Sequence, residues 1–281
     1  MICQSANRFM TVSQEADLSF SVATYNVLAN AYANRAWYRR TPSMVLNPAW
    51  RVPALVEHIS ALKTDVLCLQ EVEPDVFATL RASLAPSRYN VQYARKSGDH
   101  PDGVAIFYHR EKFELVSASR FIFADQEGAA PDSGYIALTA ILRAPEGVIG
   151  VINTHLLWDP PGTPPESRRG YRQARQLLAE WAKIAGSAGA WILAGDFNVT
   201  PDNALVGMIR QAGLDYAHRA SGNGATCNVH GDARMIDYIF YSHPLCSKPE
   251  AITPVHDLTV LPSAQQPSDH VAIVARFSWT S

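Results

Sequence analysis

The chain has 281 residues, of which 47% are hydrophobic and 18% are charged, and its formal net charge is −2 at pH 7. This composition excludes a disordered or fibrous protein, and the length suits one large domain around a single hydrophobic core. The near-neutral charge excludes a broadly cationic protein that holds polyanions through its overall field. A phosphate substrate would therefore have to be met locally, by a metal ion or by a few arginines.

Neither a membrane span nor a secretory signal is expected. No apolar stretch approaches the roughly 18 residues that a membrane-spanning helix needs. Residues 1–17 lack a basic segment followed by an apolar core. We therefore expect a cytoplasmic protein with an N-terminal extension at 1–17 and a single domain at 18–281, and with no membrane and no obligate protein partner.

The four cysteines show no paired spacing of the kind that metal ligands have, so neither structural zinc nor a disulfide framework is expected. Cys68 lies in an apolar run and is predicted to be a small core residue.

The first predicted element is a strand, because apolar and polar side chains alternate from residue 18 to 25, and it ends at Asn26. Residues 29–48 have no clean periodicity and predict a long loop that could include a helical turn. Its aromatic and basic side chains would suit contact with a base and its phosphate, or they could fold inward. The elements predicted after this loop are a helix at 49–63, a strand at 65–70, a helix around 76–84, strands at 89–94, 103–109, 113–123, 135–143 and 148–155, a helix around 171–181, a strand at 191–194, a helix from Thr200 and Pro201 to about Gln211, and strands at 236–241, 251–260 and 271–277.

The predicted helices fall between strands in two groups, one in each half of the chain. Two mixed sheets packed face to face, with helices covering their outer faces, would accommodate this pattern. The sequence therefore predicts an α/β protein with the architecture of a four-layer α/β sandwich.

The segment from Trp191 to Asn198 is the most informative stretch. Residues 191–194 form an apolar run typical of a strand buried on both faces, and Gly195 interrupts it. Since side chains alternate along an extended segment, Asp196 and Asn198 should point to the same side while Phe197 turns inward. This arrangement is either a site for chemistry or an ordinary polar turn between a strand and a helix.

Acids, amides and imidazoles repeatedly stand where predicted strands end, which favours the first interpretation. Asp237 lies inside an apolar run, where a carboxylate is costly unless it is paired. Any one of these residues could be a cap, but so many at strand ends indicate one shared site. They are Asn26, Glu71, His155, Asp196, Asn198, Asp237, Asp269 and His270.

Hard oxygen ligands without clustered thiols favour Mg²⁺, with Mn²⁺ as a possible substitute, rather than zinc. Glu71, Asp196 and Asp269 would supply such oxygens. His155 and His270 could stabilise charge on a phosphoryl group, with Asp237 orienting one of them. Asp196 would also position or deprotonate the attacking water while Asn198 holds it in line.

Six short motifs occur in an order that resembles the endonuclease/exonuclease/phosphatase superfamily, which has the DNase I-like fold. The resemblance runs from about residue 19 to 277, and it is greatest to the branch that contains CCR4, nocturnin and angel proteins. The motifs are Thr24–Leu28, Leu69–Val72, Asn153–Leu156, Gly195–Asn198, Ile236–Phe240 and Ser268–His270.

The resemblance implies roles for these residues. Glu71 would carry the metal with support from Asn26 and Asp269, Asp196 and Asn198 would handle the nucleophile, and His270 paired with Asp237 would meet the developing phosphate charge. The residues predicted to contact substrate are Arg39, Trp158, Pro160, Arg168 and Arg172.

The sequence differs from other members of this branch at one position that affects which substrate is expected. Members that remove poly(A) carry an aromatic residue about five positions before the Asp of the Ile236–Phe240 motif, and that position here falls near Asp232. Pro160 does match a substrate-side residue of those enzymes.

The leading hypothesis is a Mg²⁺-dependent phosphodiesterase that acts on single-stranded RNA or oligonucleotide ends as a 3′-5′ exoribonuclease resembling deadenylases. The alternative is a phosphatase or cyclic phosphodiesterase that acts on nucleotide 2′-phosphates, RNA 2′,3′-cyclic ends or another small phosphate ester. A third hypothesis, a catalytically inactive binding or scaffold protein, would require the loss of a site residue, and none is missing.

Overall fold

The computed structural model describes residues 19–124, 133–160, 162–164, 167–222 and 224–280, and the predicted extension at 1–17 lies outside them. One six-stranded sheet has the order β13-β14-β1-β2-β4-β3. Its central strands β1 and β2 run parallel, which requires a crossover connection between them. The strands are β1 (Ser19–Asn26), β2 (Val66–Gln70), β3 (Tyr89–Arg95), β4 (Gly103–His109), β13 (Leu245–Pro249) and β14 (Ile273–Trp279).

The second sheet also has six strands, in the order β5-β6-β7-β8-β12-β9. It too has a parallel pair near its centre, β7 with β8, and all its other pairs are antiparallel. The strands are β5 (Glu114–Ile122), β6 (Ile136–Ala144), β7 (Gly147–His155), β8 (Ala190–Asp196), β9 (Leu214–Tyr216) and β12 (Asp237–Ser242). A separate two-stranded hairpin joins β10 (Cys227–Val229) to β11 (Asp232–Arg234).

Five α-helices connect the strands in the described part of the chain. Helix α2 supplies the crossover between β1 and β2, and α4 supplies the one between β7 and β8. No helix among the described residues combines the length and the apolar character needed to cross a membrane. The helices are α1 (Ser43–Leu46), α2 (Pro48–Leu62), α3 (Pro74–Leu84), α4 (Arg169–Ile184) and α5 (Ala204–Gln211).

The buried apolar side chains form three layers of packing. The first lies between the sheets, where residues such as Val22 and Ile106 meet Leu138 and Ile192. The outer face of the β1 sheet packs against α2 and α3, and the outer face of the β7 sheet packs against α4 and α5. The predicted four-layer α/β sandwich is therefore confirmed.

A buried polar contact also joins the two sheets. Gln70, at the end of β2, donates from Nε2 to Asn153 Oδ1 at 2.7 Å. Asn153, on β7, donates from Nδ2 to the carbonyl oxygens of Leu69 and Ala105, both at 2.9 Å. Because these atoms are excluded from water, losing either amide would leave its partners unsatisfied. We refer to the two side chains as the Gln70–Asn153 clamp.

Two local predictions are wrong. Residues 251–260 form no strand, because the carbonyl oxygens of residues 256, 257 and 259 accept hydrogen bonds from the Asn228 side chain instead of from a neighbouring strand. Helix α5 begins at Ala204 rather than at Thr200. The Asn203 side chain caps it by accepting from Leu205 N at 3.0 Å, while Thr200 bonds Asp202 in the preceding turn.

Candidate active site

Sheet register brings three of the predicted site residues into one row. His155 and Asp196 are paired positions at the ends of the parallel strands β7 and β8, and Asp237 is paired with Asp196 at the start of β12. Neighbouring strands lie about 4.8 Å apart. The three side chains are thus side by side at one edge of the sheet, although the sequence separates them by 41 residues at each step.

Gly195 allows β7 and β8 to approach closely just before this row. Its φ is +149°, and a Cβ atom there would lie 1.9 Å from the carbonyl oxygen of Thr154. Any other residue would push the strands apart directly beneath His155 and Asp196.

Asn26 joins the carboxylates that the two sheets contribute. Its Nδ2 atom donates to Glu71 Oε1 at 2.9 Å and to Asp196 Oδ2 at 3.0 Å. Glu71 also accepts from the backbone N–H of Ala29 at 2.9 Å and adopts a left-handed backbone conformation with φ 57°. Such a conformation is unfavourable for a residue with a side chain and tends to occur at functional sites. One amide therefore holds an acid from each sheet at a common point.

Asp237 and His270 form a buried pair. His270 Nδ1 lies 2.9 Å from Asp237 Oδ2, which also accepts from Thr226 Oγ1 at 2.6 Å. Burial alone would lower the pKa of His270, but the charges of Asp237 and Asp269 raise it well above its usual value. The ring is consequently a cation, and its Nε2 atom lies 3.7 Å from Asp196 Oδ2.

Asp269 is held next to this pair by the loop that follows β1. Tyr38 donates its hydroxyl to Asp269 Oδ2 at 2.8 Å, across 231 positions of sequence. Both side chains are buried. The long loop predicted at 29–48 thereby reaches the active site directly.

His155 stands among donors and has a different electrostatic environment from His270. Its Nε2 atom lies 3.2 Å from Asn198 Nδ2, and its Nδ1 atom lies 3.5 Å from Lys96 Nζ. Burial, together with the charges of Lys96 and His270, lowers the pKa of His155 well below its usual value. The site therefore pairs one neutral imidazole with one cationic imidazole.

Lys96 and Asp102 form an ion pair that the sequence did not predict. Their charged atoms are 2.8 Å apart, and the side chains are 2% and 0% exposed. Lys96 Nζ also lies 4.3 Å above the ring of Tyr135, while Asp102 accepts from the Tyr32 hydroxyl at 3.1 Å. Lys96 directly follows β3, so the pattern of polar residues at strand ends would have identified it had basic residues been included.

The donor set fits a divalent cation. Atoms of Asp196, Asp237 and His270 lie within 4.8 Å of one another, but the protonated His270 ring has no lone pair for a metal ion. The candidate donors are therefore the carboxylates that line the cleft, those of Glu71, Asp196 and Asp269. Burial and the charge of Asp237 raise the pKa of Asp196 to about 7, while burial and the charge of Asp269 raise that of Glu71. Crowded carboxylates of this kind are stabilised when a hard cation offsets their mutual repulsion.

The site opens into a cleft of about 540 Å³. Trp158, which was predicted to contact substrate, lines this cleft, and Arg234, which was not predicted, lines it as well. Arg234 lies on the β10–β11 hairpin, where its Nε atom is 3.3 Å from Asp232 Oδ2. The cleft brings together Glu71, His155, Asp196, Asn198, Asp269 and His270, with Asp237 directly behind His270.

The other four predicted substrate contacts do not line the cleft. Pro160 and Arg168 line an adjoining cavity of about 180 Å³ that shares Trp158 and Asn198 with it. Arg39 lines a second cavity beyond Trp37, and Arg172 lines a separate one with Arg175. Helical periodicity placed Arg168 and Arg172 on one face, but residue 168 precedes α4 and its Nε atom donates to the carbonyl oxygen of Thr163.

Known proteins resemble this chain in sequence and in structure. Mouse protein angel homolog 2 is 34% identical over 224 residues, which are 74% of this chain and 40% of that protein. The probable CCR4-Not complex 3′-5′-exoribonuclease subunit Ccr4 of Encephalitozoon cuniculi is 27% identical over 314 residues, with 92% of this chain and 62% of that protein covered. The chain thus spans less than two thirds of the length of these relatives.

A solved structure agrees over nearly its whole length. The crystal structure of ANGEL2, a 2′,3′-cyclic phosphatase, in complex with adenosine-2′,3′-vanadate, matches with a TM-score of 0.79 and 27% identity over 93% of this chain and 96% of that one. The model of the Endonuclease/Exonuclease/phosphatase family matches residues 23–270. The predicted resemblance to the CCR4, nocturnin and angel branch is confirmed. The predicted enzyme class is also confirmed at the level of the family. The chain belongs to the endonuclease/exonuclease/phosphatase family.

Proposed function

We propose that this protein is a metal-dependent phosphoesterase that hydrolyses phosphodiester bonds at the 3′ ends of RNA. The observation that carries the proposal is the convergence of Glu71, Asp196 and the Asp237–His270 pair at the floor of one cleft. Carboxylates that can hold a divalent cation, beside a cationic imidazole that can meet phosphoryl charge, suit metal-assisted hydrolysis of a phosphate ester.

Glu71 would hold the metal, with Asn26 and Asp269 supporting it, and Mg²⁺ is the ion that this oxygen-rich set suits best, with Mn²⁺ as a substitute. A bound divalent cation supplies neutralisation of phosphoryl charge and a lowered pKa for bound water. Asn26 fixes the spacing between Glu71 and Asp196 by donating to both.

The remaining roles follow from the protons that the side chains carry. Asp196, with a pKa raised to about 7, can accept a proton from the attacking water near neutral pH. His270, held as a cation by Asp237, can donate from Nε2 to a phosphoryl oxygen as negative charge develops there. Asn198 Nδ2 donates to the carbonyl oxygen of Leu156 at 2.9 Å and lies 3.2 Å from His155 Nε2, so this amide would hold the neutral imidazole in place beside the reacting groups.

Of the two RNA reactions, we favour hydrolysis of a terminal 2′,3′-cyclic phosphate. The solved relative with a TM-score of 0.79 is described as a 2′,3′-cyclic phosphatase. Arg234 and Asp232 also occupy the hairpin where poly(A)-removing relatives carry a base-stacking aromatic residue. This protein would therefore lack that stacking contact if it removed adenosines one after another.

A 3′-5′ exoribonuclease is the second candidate, because one relative is described as a probable exoribonuclease subunit. The test is to incubate 5′-labelled RNA ending in a 2′,3′-cyclic phosphate, or in a 3′-hydroxyl, with Mg²⁺ and to identify the products by mass. Opening of the cyclic phosphate without shortening supports the first candidate, and progressive shortening of the 3′-hydroxyl RNA supports the second. If wild-type protein and the Asp196→Asn variant both leave every substrate unchanged, the proposal is wrong.

Cytoplasmic residence stays a prediction that cell fractionation would test. The choice of Mg²⁺ over Mn²⁺ is likewise a proposal, and titrating each ion into chelator-treated protein would decide it.

A further inference from the structure

A second cavity adjoins the catalytic cleft and shares a wall with it. The cavity has a volume of about 250 Å³ and lies on the far side of Trp37, Tyr38 and His230, which line both spaces. Tyr38 ties this wall to the active site through its 2.8 Å hydrogen bond to Asp269. A strand of RNA whose end is in the cleft would therefore meet the second cavity next if it crossed this wall.

The wall carries an exposed aromatic face. Trp37 is 57% exposed, and its ring lies 5.3 Å from that of His230 at an interplanar angle of 34°. Its backbone N–H is held by the carbonyl oxygen and side chain of Asn34. An exposed aromatic face beside a positively charged cavity is the kind of platform on which unpaired bases stack.

The cavity is positively charged, in a protein whose overall charge is −2. Arg39 and Arg40 line it, and no acidic residue does. Arg40 donates to the carbonyl oxygen of Leu258 at 2.8 Å, whereas the Arg39 side chain has no hydrogen bond or ion pair with any described residue. An unpaired guanidinium beside an exposed indole fits a phosphate that is linked to a base.

The cavity is also preformed. Asn228 lines it and donates from Nδ2 to the carbonyl oxygens of residues 256, 257 and 259, which fixes the loop that forms one side. A preformed cavity binds its ligand more tightly, because little conformational entropy is lost in ordering the residues that line it.

We propose that this cavity is a subsite for the nucleotide that precedes the RNA 3′ terminus, with its base against Trp37 and its phosphate bound by Arg39 and Arg40. The inference rests on the proposed function, because it assumes that the terminal phosphate lies in the catalytic cleft. It extends that function by making the enzyme selective for RNA chains over mononucleotides.

The test compares two substrates with the same reactive end, adenosine 2′,3′-cyclic phosphate and a dinucleotide that ends in it. The measured quantity is the ratio of kcat/KM for the dinucleotide to kcat/KM for the mononucleotide. We expect a ratio well above one for wild type, and Trp37→Ala should lower it by between about 5-fold and about 100-fold, which is the usual range for one stacked base. Arg39→Gln should also lower the ratio. In addition, it should reduce the slope of log affinity for the dinucleotide against log salt concentration by about 1.

Arg120→Gln is the matched control, because Arg120 is an exposed arginine on β5 that lines none of these cavities. It should keep the wild-type ratio. If Trp37→Ala and Arg39→Gln both keep that ratio too, the subsite does not exist.

A binding measurement separates failure of the subsite from failure of the proposed function. Fluorescence anisotropy of a labelled single-stranded RNA is recorded with wild type, Trp37→Ala and Arg120→Gln, without turnover. Wild type that binds RNA through Trp37 but hydrolyses none of the substrates would refute the proposed reaction and keep the subsite. RNA affinity that is the same in all three proteins would overturn the subsite even if hydrolysis occurs.

Discussion

The floor of the cleft and its walls are built in different ways. On the floor, side chains stand at strand ends whose register places them, as the pairing of Asp196 with both His155 and Asp237 illustrates. The walls come from loops and from the β10–β11 hairpin, and their positions depend on contacts over long sequence distances, such as that between Tyr38 and Asp269.

The difference separates chemistry from selectivity. Reacting groups must keep their spacing within fractions of an ångström, and paired strands supply that rigidity. Substrate contacts can vary with the loops while the floor stays constant. Substitutions on the floor should therefore abolish turnover, whereas substitutions in the walls should change which substrate is preferred.

The largest effect is expected from Asp196→Ala. Removing the proposed base should lower kcat by about 10³-fold or more, because a positioned general base typically contributes between about 10²-fold and 10⁴-fold. Steady-state kinetics with saturating Mg²⁺ measures the loss. Asp202→Ala, an exposed acid near the start of α5, is the control and should keep wild-type activity. Equal activity of the two variants would contradict the assigned role.

Lys96→Met tests how much the buried ion pair between Lys96 and Asp102 contributes to the stability of the fold. The substitution leaves the Asp102 carboxylate uncompensated in the interior, which should reduce the free energy of unfolding by about 3–5 kcal/mol. The double variant Lys96→Met/Asp102→Leu should recover much of that loss in urea denaturation.

The comparison variant is Lys112→Met, which removes a pair with Asp65 in which the lysine side chain is 44% exposed. Exposed pairs contribute about 0–1 kcal/mol, so this loss should be much smaller than that of Lys96→Met. Similar losses for both lysines would refute the idea that burial makes the Lys96–Asp102 pair distinctive.

The pH dependence of stability should reveal the crowded acids. The pKa of Asp196 is about 7 in the folded chain, above its usual value of 3.8. Between these values the unfolded carboxyl ionises while the folded one stays protonated, so folding loses stability as pH rises from about 4 to 7. In chelator, Asp196→Asn should therefore have a higher Tm than wild type at pH 8, and the gap should close towards pH 4.

Adding Mg²⁺ at pH 8 should raise the Tm of wild type more than that of Asp196→Asn, because the variant lacks one of the carboxylates whose repulsion the cation offsets. A gap that is independent of pH in chelator would contradict the raised pKa of Asp196.

The smallest effects are expected in the walls. Trp158 lines the cleft and is 46% exposed, so Trp158→Ala should raise KM by about 10-fold through lost stacking. Arg172→Gln should change KM by less than about 2-fold, because Arg172 lines a cavity separate from the cleft. A larger change in KM for Arg172→Gln than for Trp158→Ala would contradict the placement of Trp158, rather than Arg172, at the substrate.

The same contrast explains what the sequence could predict. The longer strands were predicted with little error, and the buried apolar strand β4 has the predicted bounds, Gly103–His109, whereas the five-residue edge strand β13 was not predicted. Polar residues at strand ends or inside apolar runs could be grouped from the sequence, as Asn26, Asp196 and Asp237 illustrate. Pairing of β8 with β12 then places Asp196 beside Asp237, while Asn26 comes from the other sheet.

Loops carry no comparable signal. Strands β10 and β11 have three residues each, too few for periodicity, so the position of Arg234 in the cleft went unpredicted. Thr200 and Pro201 match a helix start, but the Asn203 side chain caps α5 instead. The cavity beside Arg39 is completed by residues about 190 or more positions away, which local patterns cannot express.

The Gln70–Asn153 clamp has a consequence for how this enzyme can change over evolution or by design. Glu71 follows one member of the clamp by one residue, and His155 follows the other by two. Sliding one sheet over the other would therefore break buried hydrogen bonds and separate the acid from the imidazole in the same movement. Affinity for the ion and cohesion of the sandwich are thus coupled, and a variant that binds its cation poorly can be sought in the interior as well as among the ligands.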